Sequence, residues 1–177
     1  MIGVLVSGQG TNLQALIEAG LPIAAVASNR AGVPALERAD RAGIPSRTFD
    51  AGSYPDREAR DREMADWLQL RGVDLVVLAG YMHVLTVEFL ERFPDRIVNV
   101  HPSLLPAFPG GRAIDDALAA GVETTGVTVH YVDEGLDTGA VIRQEPVTVE
   151  PRNTLLDRIH AVEHRILPEV VKALCAR

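Results

Sequence analysis

Short strand-like runs alternate with amphipathic stretches along the first hundred residues. Ile2 to Val6, Ile23 to Ala27 and Leu75 to Ala79 are apolar runs that each read as a strand, and Pro45 to Phe49 reads as a further, more polar one. Between them lie three helical patterns. One starts at Asn12 with Leu13, Leu16 and Ile17 on one face. The second spans Pro34 to Ala42. The third spans Asp56 to Leu70, with Met64, Trp67 and Leu68 on its apolar side. The run at Leu75 to Ala79 is continuously apolar, as in a central parallel strand covered on both faces. Strand–helix alternation of this kind predicts an α/β fold, a doubly wound, mostly parallel Rossmann-like sheet. Ligands of such sheets bind beyond the carboxyl ends of the strands.

The next strand is Ile97-Val98-Asn99-Val100-His101. Asn99 and His101 are spaced i, i+2, so both point to the same side of the sheet. Pro102, Pro106 and Pro109 stiffen the exit loop. An amide and an imidazole held there either cap the sheet edge or polarise a carbonyl and shuttle a proton. A short helix follows at Ala113 to Ala120. Two strands at Gly126 to Val132 and Val141 to Val149 then predict an antiparallel C-terminal pair. Asn153 is expected to cap a last helix whose buried stripe is Leu155, Ile159, Val162 and Ile166. Pro168 is expected to kink or interrupt it.

Composition narrows the function. The 177 residues are 47% hydrophobic and 23% charged, which suits one domain over residues 1–177. A net charge of −7 argues against a broad surface for nucleic acid or anionic membrane. The single cysteine, Cys175, cannot form an internal disulfide. No apolar run is long enough to span a bilayer, and Met1 leads directly into a strand. A cytoplasmic location is expected.

The turn Ser7-Gly8-Gln9-Gly10-Thr11 joins the first strand to the first helix. Its glycines let backbone N–H groups approach an anion, and the helix N-terminus adds partial positive charge. Thr11 and Asn12 add side-chain donors. Glycines here also serve ordinary turns. The dinucleotide fingerprint wants a third glycine where Leu13 stands, and an acid where Ser28-Asn29-Arg30 ends the second strand. There is no G-K-[ST] either, so nicotinamide and ATP readings weaken. The loop Asp133 to Gly139 lacks calcium-loop spacing. His160 to His164 matches the zinc motif H-x-x-E-H, but little chain remains to supply a third ligand, and metal is discounted.

The run N-V-H-P-S-L-L-P-A-F-P-G at Asn99 to Gly110 resembles the signature of the folate-dependent formyltransferases. The likeness extends to S-G-Q-G-T-N-L-Q at Ser7 to Gln14, D-R-E-A at Asp56 to Ala59, V-V-L-A-G-Y-M at Val76 to Met82, and G-V-T-V-H-Y-V-D-E-G-L-D-T-G at Gly126 to Gly139. It implies the formyltransferase fold, with a phosphate-binding half at 1–100 and a catalytic, folate-binding half at 101–177. The glycine-turn motif implies the branch that formylates glycinamide ribonucleotide rather than initiator tRNA. By position, Asn99, His101 and Asp137 match the family's catalytic trio. Gly10, Thr11, Asn12, His160 and Glu163 match its ribonucleotide contacts. Arg57, Met82, His83, Val84, Leu85, Asn99, Asp133, Glu134, Gly135, Leu136 and Asp137 match its folate site. The family often has Arg where His83 stands and His where Arg112 stands. The resemblance implies 10-formyltetrahydrofolate as cosubstrate, no metal, and a monomer or homodimer. A formylfolate hydrolase and a non-catalytic nucleotide-binding module are the alternatives.

Overall fold

The computed structural model describes residues 1–176. Seven strands form one sheet: β1 (Ile2–Val6), β2 (Ile23–Ser28), β3 (Ser46–Thr48), β4 (Leu75–Leu78), β5 (Ile97–His101), β6 (Thr124–Tyr131) and β7 (Val141–Thr148). Their order is β3-β2-β1-β4-β5-β6-β7. The first five run parallel, and β6 and β7 add antiparallel. The six α-helices are α1 (Thr11–Glu18), α2 (Pro34–Arg41), α3 (Arg57–Leu70), α4 (Val87–Arg92), α5 (Ala113–Ala120) and α6 (Leu155–Cys175).

Apolar side chains of α1, α2, α5 and α6 pack on one face of the sheet. Those of α3 and α4 pack on the other. Val4, Val77 and Val98 point to the first face, and Leu5, Val76 and Ile97 to the second. Burial on both faces is why these strands are apolar without alternation.

Strand order reverses at β1, which is flanked by β2 and β4. The chain leaves β1 and β4 in opposite directions there, so a crevice opens beyond their carboxyl ends.

Two expectations fail at α6. Asn153 lies in a 3₁₀ turn at Arg152–Thr154, and Thr154 is the N-cap residue, without a side-chain cap bond. Pro168 stays inside an unbroken helix. It is among the buried residues of this helix, so packing outweighs the lost backbone hydrogen bond. The expected helix at Asn12 starts one residue earlier, at Thr11.

Candidate active site

One cleft of about 540 Å³ lies along the carboxyl edge of the sheet. Residues 7–12 after β1 form one end. Residues 79–85 after β4 form a side wall, and the segments at 99–102 and 132–137 complete it.

At the first end, Gly10 is the N-cap residue of α1 and sits at φ 71°. That left-handed conformation favours glycine. A Cβ here would come within 2.6 Å of Ala35 Cβ and 2.7 Å of its Cα. The glycine therefore also lets α2 pack closely against the turn. The first N–H groups of α1 have no partner within the helix, the arrangement by which helix N-termini attract anions. Asn12 Nδ2 donates to Glu163 Oε2 at 3.1 Å, joining α1 to α6. Burial raises the Glu163 pKa to about 7, against the lowering effect of the Asn12 hydrogen bond. His160 lines the cleft one turn before Glu163, its ring stacked on His164 at 5.8 Å.

The middle is built on two neighbouring strands. Asn99 pairs with His130 across the β5–β6 ladder, and His101 pairs with Thr128. Asn99 Nδ2 lies 3.2 Å from His130 Nε2 and 3.4 Å from Asp137 Oδ1. His130 Nδ1 donates to the Tyr131 carbonyl at 2.8 Å, and its Nε2 also lies 3.6 Å from Asp137 Oδ1. His101 Nε2 donates to the Phe108 carbonyl at 2.8 Å, leaving Nδ1 3.4 Å from Asp137 Oδ2.

Asp137 is held at φ 55° after the loop's tight turn. Its Oδ2 accepts from Gly110 N at 2.8 Å. Burial alone would raise its pKa. Hydrogen bonds from His130 and the Gly110 N–H, with the charges of His101 and His130, hold it at about 2. The carboxylate is therefore ionised throughout the neutral range and ties together three segments distant in sequence.

The exit loop after β5 is braced from beneath. Thr128 Oγ1 accepts from Leu105 N at 3.1 Å and donates to the Ser103 carbonyl at 2.7 Å. Gln144 Nε2 donates to Thr128 Oγ1 and to the Leu105 carbonyl. This network fixes the loop that carries the Phe108 carbonyl.

The side wall is tied to the glycine-turn end by a 2.8 Å bond from Met82 N to Ser7 Oγ. Met82, Val84 and Leu136 are exposed apolar side chains at its rim. His83, Leu85, Asp133 and Gly135 also line the cleft. One Asp133 oxygen is used within its own loop, accepting from Gly135 N and Thr138 Oγ1.

Two expected folate residues are not brought to the cleft wall. Arg57 opens α3 with its side chain 54% exposed and its guanidinium 3.8 Å from Glu58. Glu134 is exposed in its loop and does not line the cleft. A loop folded on Asp133 can turn only some of its side chains inward. His130, Arg30 and the Gly110 N–H are part of the site but were not singled out from the sequence. Alternation of Gly126 to Val132 carried the signal for His130, since it puts His130 and Thr128 on one face.

Residues 1–171 match the formyl transferase family. The trifunctional purine biosynthetic protein adenosine-3 of Drosophila pseudoobscura pseudoobscura is 45% identical over 186 residues, covering 99% of this chain and 14% of that protein. This chain thus spans about one seventh of that relative's length. The phosphoribosylglycinamide formyltransferase of Bacillus subtilis (strain 168) is 38% identical, covering 97% of this chain and 92% of its own. The crystal structure of phosphoribosylglycinamide formyltransferase from Bacillus halodurans superposes with a TM-score of 0.96 at 41% identity, covering 99% of this chain and 95% of that one.

Proposed function

The chain belongs to the formyl transferase family, and on that premise we propose that it transfers a formyl group from 10-formyltetrahydrofolate to the amine of glycinamide ribonucleotide, in de novo purine synthesis. One observation carries the reading. Asn99, His101 and Asp137 meet in a cleft that has a glycine turn at a helix N-terminus at one end and an apolar-rimmed wall beside it. The ribonucleotide phosphate lies on the Gly10–Asn12 turn, with His160 and Glu163 contacting the rest of that substrate. The folate lies along Met82 to Leu85 and the loop at 133–137, and Asn99 borders both.

The neutral amine attacks the formyl carbon and a C–N bond forms. The carbonyl electron pair moves onto oxygen. His101 Nδ1–H is one donor to that oxyanion, charge-assisted when both ring nitrogens are protonated. Asn99 is the second, its long 3.4 Å contact to Asp137 being the one exchanged for the formyl oxygen. The ionised Asp137 favours a proton on Nδ1, because it lies 3.4 Å from it. Collapse breaks the bond to folate N10. The proton lost by the amine reaches N10 through His101 or a water beside Asp137. No covalent enzyme intermediate is needed.

The test mixes protein with 10-formyltetrahydrofolate, with and without glycinamide ribonucleotide. Tetrahydrofolate released only with the amine is the expected result. Release without it would assign hydrolysis instead, and none under either condition would leave a binding module.

A further inference from the structure

Arg60 is buried in α3 behind the side wall, outside the cleft. Its Nε and Nη2 lie 2.8 and 2.7 Å from Asp61 Oδ1. Its Nη1 lies 2.7 Å from His83 Nδ1. A guanidinium only donates, so His83 Nδ1 must accept and carries no proton. The neutral ring then has its proton on Nε2. Among the described residues Nε2 has no protein partner, and His83 lines the cleft. Asp61 Oδ2 accepts from Thr86 N at 2.9 Å, so the same pair also fixes the far end of the wall.

We infer that Arg60 and Asp61 are positioning residues that lock His83 as a neutral Nε2–H donor aimed at an acceptor oxygen of the formyl donor. The inference rests on the wall at Met82 to Leu85 being the folate side of the cleft. The charged groups around the ring are Arg60 and Asp61 from α3 and Arg30 beyond β2, with the Tyr81 ring 5.9 Å away. Burial, then the charge of Arg60, pushes the His83 pKa down, against a smaller opposing effect of Asp61. The wall thus presents a donor that stays neutral to lower pH than a free histidine would.

Nitrogen-15 NMR of the whole protein reads the ring directly, with the His83 signal assigned by its loss in His83→Gln. The expected spectrum is an Nε2–H tautomer at pH 7. A cationic ring or an Nδ1–H tautomer would overturn the inference, whatever the enzyme does. Kinetics supply the second arm. His83→Ala should raise KM for 10-formyltetrahydrofolate roughly three- to tenfold, the loss of one hydrogen bond, with kcat held. His83→Gln, which keeps an N–H donor, should recover most of it. Arg60→Lys keeps a cation for Asp61 but cannot reach both partners, so KM for the folate should become pH-dependent between about pH 5 and 7. An unchanged folate KM in His83→Ala would overturn the donor role. Absence of formyl transfer in the wild type would instead overturn the functional reading and leave the tautomer result standing.

Discussion

Asn12 and Glu163 are separated by 151 positions and joined by a 3.1 Å hydrogen bond. It ties the glycine turn at the start of α1 to the last helix, in a place where the carboxyl group is buried.

That burial predicts a pH effect on stability. The Glu163 pKa rises from 4.5 to about 7 on folding, so the folded protein binds the proton more tightly. Stability from this group is fully present below pH 4.5 and is lost as pH rises through about 7. Glu163→Gln removes the effect. The variant should be more stable than wild type at pH 8, by up to about 3 kcal/mol, with the gap closing near pH 4. Urea denaturation at the two pH values measures it. An equal gap at both would show that the carboxyl does not titrate in this window.

Gly10→Val should weaken the ribonucleotide far more than the folate. The added carbon meets Ala35 of α2, and φ 71° strains any branched residue. The turn must shift, at a cost of roughly 1–3 kcal/mol. Separate titrations with each substrate distinguish this from general unfolding, which would reduce both affinities alike.

Asn99→Ala and His101→Ala should each lower kcat by roughly 10²–10³, as loss of one oxyanion donor does elsewhere. Both substrates should still bind. The double variant should lose less than the product of the singles, because the two groups act on one developing charge. Near wild-type turnover in either single variant would displace the pair from the chemistry.

Asp137→Asn keeps an acceptor for the Gly110 N–H but removes the charge beside His101. Turnover near neutral pH should fall by about 10² or more, with little change in KM for the ribonucleotide. Because the wild-type carboxyl titrates only near pH 2, its own ionisation should leave no inflection in the rate profile between pH 5 and 9. Steady-state kinetics across that range test both points.

The centre of the sheet was legible because its strands are written as apolar runs, and runs such as Leu75 to Leu78 have few other uses. Asn99 and His101 were legible for the opposite reason: polar side chains interrupt such a run. Asp137 was marked only by resemblance, since nothing local shows that a loop 36 residues beyond His101 folds back onto it. Arg60 looked like one more charge on a charged helix. Its burial depends on where His83 and Thr86 arrive from β4, and helical periodicity does not report that. The six-residue α4 was missed because it is shorter than the window in which a period can be seen.

Asn99 and His101 face His130 and Thr128 across a single antiparallel ladder. A slip of β6 by one residue would set Val129 opposite Asn99 or His101, and would turn His130 and Thr128 to the other face. The apolar positions would still find burial, because both faces of this sheet are covered. Hydrophobic packing alone is thus a poor judge of this register. The polar partners are better judges, since a misplaced His130 would strand Asn99 and Asp137 together. The groups assigned to formyl transfer also proofread assembly, and turnover in refolded protein reports whether two strands met in step.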